Sequence, residues 1–286
     1  MTRDAATAES PRRRYDLTSA AADYAPWQGA PLRTLVICTQ QRSGSTLLGE
    51  AMYFAGGMGC PLEYFHSGFR PDFEARFQPA DIHAYAATLH ELRTDTSGVF
   101  SVKLFWQDAI DLVREIAPSE FHWRRNGHAM QLDPDAHRRI FAILANLVPN
   151  PTLVFLRRRD TIRQAVSLFM AGRSRQWRQL SPGKGSGARA TVAYDFHRIF
   201  RFLSTIQRTN THWTNFFGAN GLAHYEMVYE DLESDYQGTL RRFFDALGRQ
   251  DAAIAAPRLH KQSDIHSEEQ LQRFLSEFRH RSGREA

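Results

Sequence analysis

Residues 39–48 of the 286-residue chain read Thr39-Gln40-Gln41-Arg42-Ser43-Gly44-Ser45-Thr46-Leu47-Leu48, between an apolar run and a helix-like stretch. A loop entering a helix in this way suits an anion, because unpaired backbone N–H groups and the helix dipole point at it. Gly44 lets the backbone come close, Arg42 brings a fixed positive charge, and the hydroxyls of Ser43, Ser45 and Thr46 add donors. Plainer roles compete, with Ser45 or Thr46 as an ordinary helix cap and Arg42 as a solvated surface charge. The Walker A arrangement is absent: the loop holds one glycine, and Arg42 precedes it where a kinase needs Lys after a second glycine. ATP-driven phosphoryl transfer is therefore disfavoured. A second basic cluster, Arg157-Arg158-Arg159-Asp160, ends a later apolar run and enters another helix-like stretch. Taken alone it reads equally as a solvated positive edge.

In the order basic residue, Ser, Gly, Ser, Thr, the first loop resembles the 5′-phosphosulfate loop of sulfotransferases. The string from Gln41 to Leu48 is followed about twenty residues later by Pro61-Leu62-Glu63-Tyr64-Phe65. Together they are similar to bacterial sulfotransferases of the trehalose 2-sulfotransferase and lipopolysaccharide sulfotransferase type. The resemblance implies a P-loop-like sulfotransferase fold, 3′-phosphoadenosine 5′-phosphosulfate (PAPS) as donor, no metal, and a hydroxyl of a carbohydrate, glycolipid or related small molecule as acceptor. It implies that Arg42, Ser43, Gly44, Ser45 and Thr46 cradle the phosphosulfate. It places Arg159 and Ser167, eight residues apart at a strand–helix joint, on the 3′-phosphate. A forked guanidinium leaving a strand end and a hydroxyl off the apolar stripe of the next helix are physically able to share one phosphate. Residues 259–264 are similar to the family's loop before its final helix, from which Lys261 would reach the same phosphate. Tyr229-Glu230-Asp231-Leu232, a segment common in sulfotransferases, is read as organising the fold rather than touching the donor.

Sulfuryl transfer to an alcohol needs the hydroxyl proton removed and the departing phosphate neutralised. Arg42 suits the second task, by electrostatics alone, since a guanidinium does not give up its proton. The resemblance assigns the base to Glu63. Independently, a carboxylate among Pro61, Leu62, Tyr64 and Phe65 is expected to be partly desolvated and so more basic. His66 is the rival base and a candidate acceptor contact, with a more suitable intrinsic pKa. Lys103, a charge inside the apolar run Val99 to Trp106, either snorkels out or points at the transferring group.

These residues need elements to position them, and the pattern from Arg33 onward alternates strand-like and helix-like segments. That is the signature of an α/β fold, here a single domain with a central, mainly parallel sheet flanked by helices. Strands are expected at Leu35–Cys38, Val99–Trp106, Thr152–Leu156 and Ala223–Tyr229. Helices are expected after each of them: one carrying Leu47, Leu48, Ala51, Met52 and Ala55 and stopped by Gly56 and Gly57, one at about Asp108–Ile116, one from Asp160, and one at Asp235–Leu247. A long helix is expected at Val192–Phe217, ended by Gly218 and Gly221, and a last one at Ser267–His280. Ile162, Ala165, Val166, Phe169 and Met170 form an unambiguous helical stripe. Residues 1–30 are read as a mobile tail before a domain at 31–286, and 181–189, rich in glycine, as a mobile surface loop. Segments 69–79 and 119–131, with His122, Trp123 and nearby Tyr85, are read as loops lining an acceptor pocket.

Composition bounds the alternatives. Thirty-six Lys and Arg against 31 Asp and Glu leave a net charge of +5, which favours anionic ligands without demanding a polynucleotide. The arginines are scattered and no aromatic RNA-binding signature accompanies them, so a nucleic-acid adaptor is disfavoured. A small-molecule kinase would need magnesium on a carboxylate such as Asp108 or Asp231. Two cysteines, Cys38 and Cys60, make neither a disulfide scaffold nor a zinc pattern, so a reducing cytoplasm is expected. The arginine run Arg12 to Arg14 lacks the apolar stretch of an export signal. No apolar run approaches the roughly 18 to 20 residues of a membrane span. The expected protein is soluble, free to meet a lipid-linked acceptor or to form a homodimer.

Overall fold

The structure, a computed structural model, describes residues 16–121, 132–174, 192–258 and 265–282. Leu35-Val36-Ile37-Cys38 is apolar on both sides of the pleat, so it requires cover on both faces, and it forms the centre of β1 (Arg33–Thr39). β2 (Val99–Phe105), β3 (Pro151–Arg157) and β4 (His224–Val228) join it in a four-stranded sheet of order β2-β1-β3-β4. Every pairing is parallel. Alternate residues feed two separate cores. Val36, Cys38, Leu153 and Phe155 face one side, and Leu35, Ile37, Val154 and Leu156 the other. Burying one such side chain contributes about 1.5–3 kcal/mol, which fixes the register, since a one-residue slip would exchange the faces.

The first side is covered by α3 (Ile82–Arg93), α4 (Trp106–Ile116), α5 (Pro134–Leu144) and the last turns of α7 (Phe196–Asn220). The second is covered by α1 (Ser45–Ala55) and α9 (Tyr236–Ala246). A third cluster joins α6 (Thr161–Ser174), α7 and α10 (Ile265–Ser282), built on the stripe of Ala165, Val166 and Phe169. α2 (Arg70–Phe77) and α8 (Tyr229–Ser234) complete the set. Aspartates start several helices: Asp81, Asp133, Asp195 and Asp235 each accept a backbone N–H of the first turn. Asp160 does the same for Arg163, as its position in the sequence predicts.

Several expectations change. The segment read as a loop at 69–79 is α2, whose Phe73 is buried in the first core. Tyr85 is fully buried in α3 and donates its hydroxyl to the Tyr64 carbonyl, so it does not face an acceptor. α7 starts at Phe196 rather than Val192 because Asp195 caps it, and runs through Gly218 to end at Gly221, φ 60°. Residues 16–30 are packed rather than a free tail. Leu17 and Ala22 lie in the core, and the fully buried Arg93 donates to the carbonyls of Leu17, Thr18 and Ser19 while pairing with Asp23. Residues 1–15, the loop at 181–189 and the aromatic-bearing 122–131 lie outside the described residues. Among the described residues, no helix is long and apolar enough to cross a membrane.

Candidate active site

From β1 the chain crosses to β2 on one side and from β2 returns to β3 on the other side of β1, so the direction of strand addition reverses there. At such a switch point the loops after neighbouring parallel strands diverge and leave a crevice beyond the strands' C-terminal ends. The loop after β1 and the joint after β3 flank it here. Arg42 Nε donates to Ser167 Oγ at 3.0 Å, and Gln164 Nε2, on the same turn of α6, donates to the Gln41 carbonyl at 2.8 Å. Two motifs more than a hundred residues apart thus form one wall.

Within the loop the candidate residues divide by role. Ser43 is fully buried: Thr39 Oγ1 donates to the Leu156 carbonyl, and Ser43 Oγ lies 2.6 Å from Thr39 Oγ1, so it donates there and serves the loop itself. Gly44 is the N-cap of α1, φ 86°, and offers no side-chain cap. Ser45 and Thr46 are therefore first-turn helical residues rather than caps, and the first turn of α1 has no side-chain cap on its backbone N–H groups. Arg42 sits at φ 63°. Burial, and then the neighbouring Arg158 guanidinium, push its pKa down, so two guanidinium groups stand close together at the start of α1. This is not a solvated surface charge.

The joint after β3 differs from expectation. Arg159 is exposed, its guanidinium pairing with Asp231 at 3.0 Å, while Ser167 receives Arg42. The structure does not bring Arg159 to Ser167. The inward arginine is Arg158, 8% exposed, whose guanidinium lies 4.6 Å over the Tyr229 ring and whose Nη1 donates to the Arg42 carbonyl at 3.4 Å. The ring of Tyr229 in turn fills the space over Gly44, where a Cβ would come within 2.5 Å of Cδ2. Lys261 lies outside the described residues.

Glu63 and His66 stand beyond the end of the sheet on the β2 side. Leu62 bridges Val102 in parallel and its carbonyl accepts the Lys103 N–H at 2.8 Å, so the segment extends the sheet edge by one short step. Lys103 is 2% exposed and its Nζ meets Glu63 Oε1 at 2.9 Å. It neither snorkels nor stands alone, and the carboxylate is not isolated among apolar groups as its sequence neighbours suggested. Gly49 of α1 makes room for this pair, with Pro61 and the Lys103 stem against it. One turn on, His66 Nδ1 lies 2.8 Å from Asp108 Oδ1. The hydrogen bond to Asp108 raises the His66 pKa against the opposing effect of burial, whereas burial raises that of Asp108. Asp108 fixes Nδ1 as the protonated nitrogen and leaves Nε2 as the other face.

Sequence reasoning missed Arg158, Gln164 and the pairing of Lys103. For Lys103 the signal was present: a charge in a strand covered on both faces requires a partner. The arrangement suits a polyanion held at the mouth of α1 with a carboxylate and an imidazole a short way along the sheet edge.

Comparison with known proteins matches residues 34–277 to the Stf0 sulphotransferase family. A trehalose 2-sulfotransferase of Mycobacterium tuberculosis (strain ATCC 35801 / TMC 107 / Erdman) is 24% identical over 272 residues, covering 86% of this chain and 96% of that protein. A trehalose 2-sulfotransferase of Mycolicibacterium smegmatis is 24% identical over 254 residues, 84% of this chain and 93% of that one. Among solved structures, a sulfotransferase domain from the curacin biosynthetic pathway aligns over 84% of this chain and 83% of that chain at 14% identity, with a TM-score of 0.40.

Proposed function

The chain belongs to the Stf0 sulphotransferase family, and from that premise we propose that it moves a sulfuryl group from PAPS to a carbohydrate hydroxyl with Glu63 as the base. The observation that carries the donor half is the 3.0 Å bond between Arg42 and Ser167, which makes one crevice of the two anion motifs. The residues present fit a nucleotide with phosphate groups at both ends: a helix start at Gly44 with no side-chain cap, the half-buried Arg42 guanidinium next to the buried Arg158, and the Ser167 hydroxyl beside Arg42.

In this reading the donor supplies an activated sulfur whose bond to phosphate breaks during transfer. The N–H groups of Gly44, Ser45 and Thr46 and the Arg42 guanidinium hold the phosphosulfate, and Arg42 neutralises the phosphate charge as it departs. Ser167 takes the 3′-phosphate, joined by Arg159 when it exchanges Asp231 for the ligand and by Lys261. Glu63 takes the acceptor's hydroxyl proton as that oxygen attacks, while Lys103 holds the carboxylate in place. His66, oriented by Asp108, contacts the acceptor. The two curated relatives are named for trehalose, so a sugar is the acceptor class to test first.

The test is calorimetry with 3′-phosphoadenosine 5′-phosphate (PAP), followed by mass spectrometry of PAPS reactions with a panel of sugars and glycolipids. Binding of PAP, and a product heavier by one SO3 group, are expected. A thermal shift with ATP and magnesium but none with PAP would replace this reading with phosphoryl transfer.

A further inference from the structure

The loop on which donor binding rests is held in a conformation that its own sequence does not favour. Arg42 and Gly44 both have positive φ, 63° and 86°, and only the glycine adopts such a backbone without steric cost. Besides the contacts from α6 and Thr39, part of what over-determines the loop comes from the segment at the end of β4, two strands away. Glu230 is its hub. Oε2 accepts the N–H of Arg159 at 2.8 Å, and Oε1 accepts the N–H of Asp160 at 3.1 Å while lying 3.5 Å from Arg158 Nε. Burial would raise the pKa of this carboxyl, but the backbone N–H groups of Arg159 and Asp160 outweigh it and the pKa is lowered.

Arg158 is turned inward by that carboxylate, lies over Tyr229 and donates to the Arg42 carbonyl. Tyr229 covers Gly44. Both left-handed residues are therefore pinned by neighbours of Glu230, and no described contact of Glu230 itself reaches the loop. We propose that Glu230 is a positioning residue for donor binding, holding Arg42 in its left-handed geometry through Arg158. The proposal rests on the donor reading above and deepens it. A carboxylate that merely plugged the anion site would leave when the donor arrived, whereas two of the three partners of Glu230 are main-chain groups that stay.

The experiment combines hydrogen exchange of the ligand-free protein with PAP calorimetry, using wild type, Glu230→Gln and Arg158→Lys. Loss of a charge-assisted contact predicts a weakening of PAP binding by about ten- to a hundred-fold in Glu230→Gln, with the acceptor KM unchanged. The amides of residues 40–46 should exchange faster although they are remote from residue 230 in sequence. Arg158→Lys keeps the charge, loses the planar fork and should move both readouts in the same direction. It also stands in if Glu230→Gln fails to fold. Unchanged exchange at 40–46 overturns the inference whatever the ligand, and so does tighter PAP binding in Glu230→Gln. If wild type fails to bind PAP while exchange still responds, the donor reading falls and the loop-holding role stands.

Discussion

Gly44→Ala isolates the geometry of the anion loop in a single methyl group. Its cost has two separable parts. Alanine at φ 86° meets the left-handed penalty of about 1–2 kcal/mol. The new Cβ would lie 2.5 Å from Tyr229 Cδ2 and 3.0 Å from Cε2. That ring cannot swing away freely because the Arg158 guanidinium stacks on it. Overpacking of this kind costs about 1–3 kcal/mol more. The sum, about 2–5 kcal/mol, corresponds to a fall in Tm of roughly 4–10 °C for a domain of this size, accompanied by weaker PAP binding. Thermal unfolding and PAP calorimetry should be run on Gly44→Ala, Tyr229→Ala and the double variant. Removing the ring relieves the steric part but not the backbone part, so the two substitutions should couple by about 1–3 kcal/mol. A Gly44→Ala protein as stable as wild type, or a double variant additive to within about 0.5 kcal/mol, would refute the reasoning.

Three further outcomes are expected. Glu63→Gln should retain PAP affinity and lose about 10²- to 10⁴-fold in turnover, the usual contribution of a positioned base, and full activity would discard that assignment. Lys103→Met removes the buried partner of Glu63 and should destabilise the fold by about 3 kcal/mol in a denaturant titration, less to the extent that the carboxylate reaches water. A loss under about 0.5 kcal/mol would show that the pair adds nothing to stability. For His66, whose folded pKa is raised first by its hydrogen bond to Asp108, the stabilisation is complete below the unfolded value of about 6.5 and fades as pH rises through the folded value. The Tm gap between wild type and His66→Asn should thus be widest below about pH 6.5 and narrow as the pH rises through the raised folded value, and a gap that does not change with pH would contradict the pairing.

Local pattern carried much of the fold. The continuous apolar run at Leu35 to Cys38 announced a strand covered on both faces, and the stripe from Ile162 to Met170 announced α6, because period and side-chain type are properties of neighbouring residues. The anion loop was legible for the same reason. Which of three consecutive arginines turns inward was not, since that depends on where β3 ends and on Glu230, some seventy positions along the chain. From sequence Tyr229-Glu230-Asp231 reads as a segment that organises the fold, and its contacts bear on the loops themselves, which no local rule reveals. The packing of residues 16–23 was hidden because its determinant is the buried Arg93, a residue that from sequence alone looks like the charged end of a helix.

That arginine also joins the beginning of the described chain to the segment that carries Glu63. Its Nη1 lies 3.7 Å from Cys60 Sγ, its guanidinium stands 5.8 Å from the Tyr64 ring centre, and the Tyr64 hydroxyl closes back on the Cys60 carbonyl, so the segment bearing Glu63 shares its foundation with residues 17–23. The matched family region begins at residue 34. Trimming the gene to that boundary would strip the carbonyls that satisfy a wholly enclosed cation, and the disturbance would surface at the proposed proton acceptor rather than at the cut.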